Sequence, residues 1–63
     1  MFRVGDIVEW QRYEGEWDGP YKIERAYNDL VFRIVDAGDT DVFVDLVPES
    51  CLRPIPTPSE NKS

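Results

Sequence analysis

The side chains of this protein that could take part in chemistry are carboxylates and aromatic rings, and they form no recognisable catalytic set. The sequence has no histidine, and its single cysteine, Cys51, has no identifiable base partner that would activate it. We therefore expect Cys51 to be a small apolar residue of the core. The four glycines stand apart as separate turn residues and cannot form a phosphate-binding loop. These observations predict a protein that is not an enzyme and has no catalytic residues and no cofactor.

The sequence also predicts no metal site. Asp36, Asp39 and Asp41 lie close to Gly38 in the chain, but they lack the loop pattern and the closing glutamate of a calcium-binding hand. Structural zinc is not expected, because one thiolate without histidine is a poor ligand set for this ion. A single cysteine allows no disulfide within these 63 residues, so packing alone must hold the fold.

Charge is the most informative property of the composition. The 63 residues include 13 acidic and 7 basic side chains, which gives a net charge of −6 at pH 7. The electrostatic field of a negatively charged protein repels phosphate groups and attracts cationic partners. Proteins that bind nucleic acid, by contrast, usually have a basic surface. Two interpretations stay open. The acidity either keeps a small aromatic-rich domain in solution or takes part in recognition.

The candidate binding residues cluster around segment 14–20. Its two glycines and one proline predict a polar loop that is neither helix nor strand. Trp17 lies in this loop between acidic neighbours, where a core residue is not expected, and exposed tryptophan is enriched in binding hot spots. Alternatively, Trp17 could fold back and cover the end of the domain. The predicted partner-binding residues are Tyr13, Glu14, Glu16, Trp17 and Asp18.

Alternation of apolar and polar residues predicts β-strands throughout the chain. The expected strands are residues 7–13, 21–27, 30–35, 42–47 and 51–53, with one turn of 3₁₀ helix at 48–50. Five short strands separated by turn residues are typical of a small barrel, so we predict an all-β, five-stranded barrel. Trp10, Tyr21 and Phe32 are expected to fill its core. Apolar residues on the same faces of the strands are expected beside them: Val8, Ile23, Tyr27, Leu30 and Ile34.

The last part of the chain differs from the rest in composition. Pro54, Pro56 and Pro58 alternate with other residues, and only polar residues follow. Prolines at this spacing favour an extended polyproline conformation and are not expected to pair in a sheet. We therefore expect the barrel to occupy residues 1–55 and residues 56–63 to form an extended or disordered proline-rich tail.

Three segments resemble the C-terminal SH3-like domain of retroviral and retrotransposon integrases. They are Gly5-Asp6-Ile7-Val8, Trp17-Asp18-Gly19-Pro20-Tyr21-Lys22-Ile23 and Ser50-Cys51-Leu52-Arg53-Pro54. In that family a Gly-Asp-x-Val strand, a Trp-x-Gly-Pro-Tyr segment and a closing Leu-Lys/Arg-Pro occur in the same order. The resemblance implies an SH3-like barrel and, by analogy, a DNA-binding module. Its nucleic-acid face in this chain would consist of Arg12, Lys22, Arg25 and Arg33.

Segment 46–52 is similar to the closing Val-Pro-x-x-Tyr-Val segment of eukaryotic signalling SH3 domains. Pro48 matches the proline of that segment, and Cys51 stands where the tyrosine of the peptide groove would be. The acidic residues Glu14, Glu16 and Asp18 resemble, in position and charge, the first long loop of those domains, which contacts basic residues of ligands. This resemblance implies a protein-binding surface.

Together these observations predict a non-enzymatic protein-binding module or small inhibitor whose acidic surface engages a basic patch of a protein partner, and which could act as a nucleic-acid mimic. The alternatives are a nucleic-acid-binding module and a structural or oligomeric subunit. Small acidic proteins of viral or mobile-element origin fit this description. No apolar run is long enough to cross a bilayer and no signal peptide is visible, so we expect a soluble cytoplasmic protein without membrane contact. It would be a monomer or a weak homo-oligomer.

Overall fold

The computed structural model describes residues 2–55. They form five strands and one turn of 3₁₀ helix: β1 (Ile7–Tyr13), β2 (Glu16–Ala26), β3 (Val31–Asp36), β4 (Asp39–Pro48), the 3₁₀ turn (Glu49–Cys51) and β5 (Leu52–Pro54). The strands pair antiparallel in one sheet with the order β4-β3-β2-β1-β5. No helix among the described residues is long and apolar enough to cross a membrane. The all-β prediction is confirmed, and so are the bounds of the first strand.

Segment 14–20 is not the polar loop that its composition predicts. β1 and β2 form a hairpin whose turn contains only Glu14 and Gly15, and Gly15 has a φ of 82° that few other residues tolerate. β2 continues through Gly19 and Pro20 because the ladder with β1 has a register shift at this point. Proline has no backbone N–H to donate to a neighbouring strand. Pro20 lies at a bulge, where the regular cross-strand hydrogen bonds are interrupted, so the lack of this donor costs little stability. The prediction failed because the residues of a bulged strand resemble those of a loop.

β1 and β2 come into close contact at Gly19. A Cβ atom at this position would lie 3.2 Å from the carbonyl oxygen of Val8 and 3.3 Å from Cγ of Glu9. The carbonyl oxygen belongs to the backbone, so it could move aside only if β1 itself shifted. The lack of a side chain at Gly19 therefore allows the two strands to pack together at the bulge.

We expect Gly19→Ala to destabilise the domain by about 1–2 kcal/mol, because the added methyl group would press against the backbone of β1. Urea unfolding followed by tryptophan fluorescence measures this loss. Gly38→Ala is the matched control, since a Cβ atom there would lie 3.5 Å from Oδ1 of Asp36, which is an ordinary contact. Equal unfolding midpoints for the two variants would contradict the close approach at Gly19.

One small apolar cluster joins all five strands. Its buried members are Val8, Tyr21, Ile23, Phe32, Ile34, Val47 and Leu52. Because Val47 belongs to one edge strand and Leu52 to the other, the sheet curves around this cluster. Tyr21 and Phe32 are core residues, as predicted. Trp10 is only partly buried at the margin of the cluster, where its ring packs edge-on against Tyr21 with 6.0 Å between ring centroids.

Two of the predicted core residues lie at the surface. Leu30 is 62% exposed and Tyr27 is 40% exposed. Both were expected inside because they continue the alternation of the flanking strands. β2 ends at Ala26 and β3 begins at Val31, so Leu30 and Tyr27 belong to the connecting turn, where strand alternation does not apply.

The end of the described chain differs in part from its prediction. Pro54 pairs with Val8 as the last residue of β5, although it was expected to stay outside the sheet. An edge strand tolerates proline because one of its sides needs no ladder hydrogen bonds. Cys51 packs against the core cluster, as expected. The tail expected at 56–63 lies outside the described residues.

β4 has the strongest β-forming sequence, yet most of its residues are exposed. Its ladder with β3 has two register shifts, and Leu46, which lies at one of them, has a φ of 53°. The left-handed region costs a residue with a Cβ atom roughly 1–2 kcal/mol. Leu46 is 67% exposed, so burial does not offset this cost. Bulges of this kind also protect an edge strand from pairing with other chains.

We expect Leu46→Gly to stabilise the domain by about 0.5–1 kcal/mol, because relief of the backbone strain exceeds the entropy that glycine loses on folding. Thermal unfolding followed by circular dichroism measures the gain. Leu46→Ala is the matched control: it removes most of the exposed side chain but keeps the Cβ atom, so the strain stays. A gain of the same size in Leu46→Ala would mean that the side chain, and not the backbone, causes the effect.

Candidate functional site

The β1–β2 hairpin brings the predicted partner-binding residues together. Tyr13 pairs with Glu16 across the ladder, Glu14 lies in the turn, and Trp17 and Asp18 follow in β2. Tyr13, Glu14 and Glu16 are exposed, whereas Trp17 and Asp18 are half-buried. All five predicted residues therefore belong to one hairpin, with four of them on strands and only Glu14 in a turn.

Trp17 lies under an arginine from the last strand. The guanidinium carbon of Arg53 is 4.2 Å from the centroid of the indole ring, a distance typical of a cation–π contact. Nε of Arg53 also donates a hydrogen bond of 2.7 Å to Oε1 of Glu9. The prediction of the site did not include Arg53. Its contact with Trp17 depends on the pairing of β1 with both β2 and β5, which no local sequence pattern reveals.

Asp18 is the centre of a small polar network in the hairpin. Its Oδ2 accepts a hydrogen bond of 3.2 Å from the hydroxyl of Tyr21 and lies 3.6 Å from Nη1 of Arg12. Its Oδ1 accepts a hydrogen bond of 3.1 Å from the N–H of Gly19. Burial raises the pKa of Tyr21, and the negative charges of Asp18 and Asp36 raise it further. The hydroxyl of Tyr21 therefore stays protonated at neutral pH and donates to Asp18.

An open pocket of about 230 Å³ lies beside this network. It is lined by Arg12, Glu16, Trp17 and Asp18. Pockets that enclose a drug-sized ligand usually measure about 300 Å³ or more, so this one suits a single amino-acid side chain better. Within the described residues, no group of cysteine and carboxylate side chains is placed to hold a metal ion.

Acidic residues occur in both hairpins whose turns lie at one end of the sheet, although the β3–β4 turn contacts β2 at Pro20, five residues beyond the β1–β2 turn. The turn between β3 and β4 lies beside Pro20, because the N–H of Ala37 donates a hydrogen bond of 3.1 Å to the carbonyl oxygen of Pro20. In an antiparallel sheet this turn and the β1–β2 turn lie at the same end. We call the carboxylates of these two hairpins the acidic end: Glu14, Glu16, Asp18, Asp36, Asp39 and Asp41. Within residues 2–55, Asp18 is the only one of them that belongs to an ion pair.

The cations of the predicted nucleic-acid face fall into two places. Arg12 belongs to the β1–β2 hairpin and pairs with Asp18. Lys22 and Arg25 lie on β2, and Arg33 lies on β3, where it pairs across the ladder with Arg25. The structure thus brings three of the four residues to neighbouring strands and leaves Arg12 at the acidic end.

Arg33 and Asp45 form a network on the face of β3 and β4 that is opposite to the core. Nε of Arg33 is 2.9 Å from Oε1 of Glu24, but its N–H is not aligned with that oxygen, so the contact is ionic without a hydrogen bond. The guanidinium group also lies 4.3 Å from the ring centroid of Phe43. Oδ1 of Asp45 accepts a hydrogen bond of 2.6 Å from the hydroxyl of Tyr27. This bond holds the pKa of Asp45 below its usual value and that of Tyr27 above its usual value.

We expect Tyr27→Phe to raise the pKa of Asp45 toward its ordinary value of 3.8, because the change removes a donor that favours the carboxylate. In the wild type, a lowered pKa in the folded state means that Asp45 stabilises the fold above pH 3.8. That contribution is lost as the pH falls through the folded-state pKa. An NMR titration of the side-chain carboxyl carbons measures both values.

Tyr13→Phe is the control for this titration, because it removes the hydroxyl of an exposed tyrosine on the other hairpin. It should leave the pKa of Asp45 where the wild type has it. If the Asp45 pKa were the same in Tyr27→Phe as in the wild type, the hydrogen bond between these two side chains would not be the cause of the shift.

No protein-family model, no curated protein and no solved structure matches this chain. The resemblance to integrase C-terminal domains therefore stays a prediction from the sequence. The function of the candidate site has to follow from its own residues: the acidic end, the side chains of Tyr13 and Trp17, and the open pocket beside Asp18.

Proposed function

We propose that this domain is a non-enzymatic protein-binding module or small inhibitor whose acidic end engages a basic patch on a partner protein. The observation that carries the proposal is that six carboxylates belong to two hairpins whose turns lie at the same end of the sheet. Within residues 2–55, Asp18 is the only one of the six that belongs to an ion pair. Carboxylates that have no ion-pair partner attract a cationic surface and increase the rate of association with it. The net charge of −6 adds to this attraction over longer distances.

Tyr13 and Trp17 supply the apolar part of the proposed interface. Tyr13 is 65% exposed at the end of β1, and Trp17 is half-buried on the neighbouring strand. Tyrosine and tryptophan are enriched among the residues that contribute most to binding energy. The contact with Arg53 holds the Trp17 ring in place, so little side-chain entropy would be lost when a partner binds.

We also infer that the sheet forms an SH3-like barrel. The strand order, the 3₁₀ turn directly before the last strand and the single core cluster reached from both edge strands support this inference. β2 pairs with β1 along its first part and with β3 along its second part, which allows it to bend from one layer of a barrel into the other. In such a barrel the two acidic turns would lie at one rim, open to a partner.

The proposal has a sharper form, in which the partner's basic patch normally holds nucleic acid. The acidic end would then compete with phosphate groups for the same cations, so that the domain acts as a nucleic-acid mimic. Small size and net negative charge support this form. Direct binding of nucleic acid has less support, because Arg12 and Arg33 both have carboxylates beside them.

We expect the double variant Asp39→Asn, Asp41→Asn to bind the partner roughly 5-fold more weakly than the wild type, since it removes two charges from the acidic end. The tagged domain captures the partner from cells of its native host at low salt. The dissociation constant is then measured with the purified partner. Asparagine keeps the side-chain oxygen that accepts the hydrogen bond from the Asp41 N–H, so the turn should stay intact.

The matched control is Asp29→Asn, Glu49→Gln, which removes the same charge at the opposite end of the sheet. This control should weaken binding much less, and higher salt should weaken binding of the wild type. Equal losses in the two double variants would contradict an interface at the acidic end. A partner whose affinity depends neither on salt nor on these substitutions would contradict the proposed function itself.

A further inference from the structure

Arg53 lies on the outer face of β1, β2 and β5, which is opposite to the core cluster. It pairs with Glu9 across the β1–β5 ladder, and Trp17 pairs with Gln11 across the β1–β2 ladder. Since Glu9 and Gln11 are two residues apart on β1, these four side chains stand on the same face of the sheet. This shared face explains why the guanidinium group of Arg53 reaches the Trp17 ring from a strand that is not its neighbour.

The charge of this outer face differs from that of the acidic end. Lys22 belongs to the outer face, because its partner in the β1–β2 ladder is two residues before Glu9. Asp18, by contrast, lies on the other side of β2 from Trp17, since alternate residues of a strand point to opposite faces. Lys22 has no ion pair within residues 2–55. Where β1 pairs with β2 and β5, the outer face therefore has two cations, Lys22 and Arg53, and one carboxylate, that of Glu9.

The guanidinium group of Arg53 is fixed in position, and part of it has no partner within residues 2–55. Its carbon atom lies 4.2 Å from the centroid of the Trp17 ring, and its Nε donates a hydrogen bond of 2.7 Å to Oε1 of Glu9. Neither terminal nitrogen has a hydrogen-bond or ion-pair partner in the described part of the chain. In a planar guanidinium, the edge formed by Nη1 and Nη2 lies on the far side from Nε. Because the side chain is 50% exposed, this edge is accessible to another molecule.

A carboxylate is the anion that suits this edge best. Two parallel N–H groups of a guanidinium match the two oxygens of a carboxylate, and such bidentate pairs are stronger than single contacts. The Trp17 ring and Glu9 already hold the side chain of Arg53, so little rotamer entropy is lost on binding. A nucleic-acid strand would bring many negative charges toward a protein of net charge −6, whereas a carboxylate brings one. Physiological salt screens this repulsion beyond about 8 Å.

We propose that the outer face is a second protein-binding surface, on which Nη1 and Nη2 of Arg53 bind one aspartate or glutamate carboxylate of a partner. Lys22 attracts the same acidic segment. This surface goes beyond the proposed function, because it lies outside the acidic end and selects the opposite charge. A partner that uses both surfaces needs a carboxylate at a fixed distance from its basic patch, which restricts the choice of partner.

The test uses NMR of the ¹⁵N-labelled domain at about 150 mM salt, where long-range repulsion is screened. The probes are a glycine-flanked glutamate tripeptide with blocked ends, the same tripeptide with glutamine, and a trinucleotide of thymidine. The Nε–H of Arg53 and the indole N–H of Trp17 report on the outer face. At equal concentration, we expect the glutamate peptide to shift these resonances roughly 3- to 5-fold more than the glutamine peptide, given the strength of an exposed bidentate pair. The trinucleotide should shift them less than the glutamate peptide.

Arg53→Lys keeps the positive charge but removes the edge of two nitrogens, so the Trp17 indole should respond almost equally to the two peptides. Arg25→Lys is the matched control, because Arg25 also lies over a ring, that of Tyr27 at 5.8 Å, and belongs to the part of β2 that pairs with β3. This control should leave the difference between the peptides unchanged.

Three results would overturn the carboxylate site. They are equal responses of the wild type to the two peptides, a preserved difference in Arg53→Lys, and a stronger response to the trinucleotide, which would reassign the outer face to phosphate. Each of them leaves the acidic end untouched, because the interface there is tested with a cationic partner and with substitutions outside the outer face.

Discussion

The whole structure depends on the burial of one small apolar cluster to which all five strands contribute. A chain of 63 residues with a single cysteine has little other stabilisation, so the sheet has to curve until both of its edges reach this cluster. Strands bend at bulges, and register shifts occur in three of the four strand pairs. The close approach at Gly19 and the left-handed backbone of Leu46 both lie at such shifts. These local costs are consequences of the curvature that the core requires.

The arginines determine where much of the negative charge is neutralised within the fold. Four of the five arginines lie over aromatic rings. Three of these, Arg12, Arg33 and Arg53, also lie beside carboxylates. Three of the seven positive charges are therefore used in contacts with neighbouring strands. The carboxylates in the turns of the acidic end are not used in this way. The composition states only the sum of the charges, and the fold determines where each sign is neutralised.

Local sequence pattern predicted the parts of the fold in which a strand is regular. The first strand follows simple alternation, and its bounds were predicted correctly. The pattern failed where the backbone departs from regular pairing, as in segment 14–20, where Gly19 and Pro20 belong to a bulged strand. It also failed at Leu30. This residue continues the apolar alternation of β3 in the sequence, but it lies in the turn before β3 and is exposed. Propensity describes single residues, whereas a bulge depends on the register between two strands.

By itself, the sequence determined that this is a small acidic all-β protein, and it identified the hairpin residues around Trp17 as candidates for binding. These conclusions rest on composition and on neighbours in the chain. Only the tertiary structure decided that Arg53 covers Trp17, that two acidic turns share one end of the sheet, and that Glu16 has no cation partner in residues 2–55. Each of these facts depends on strand order and register, which bring together residues far apart in the chain through the packing of a common core.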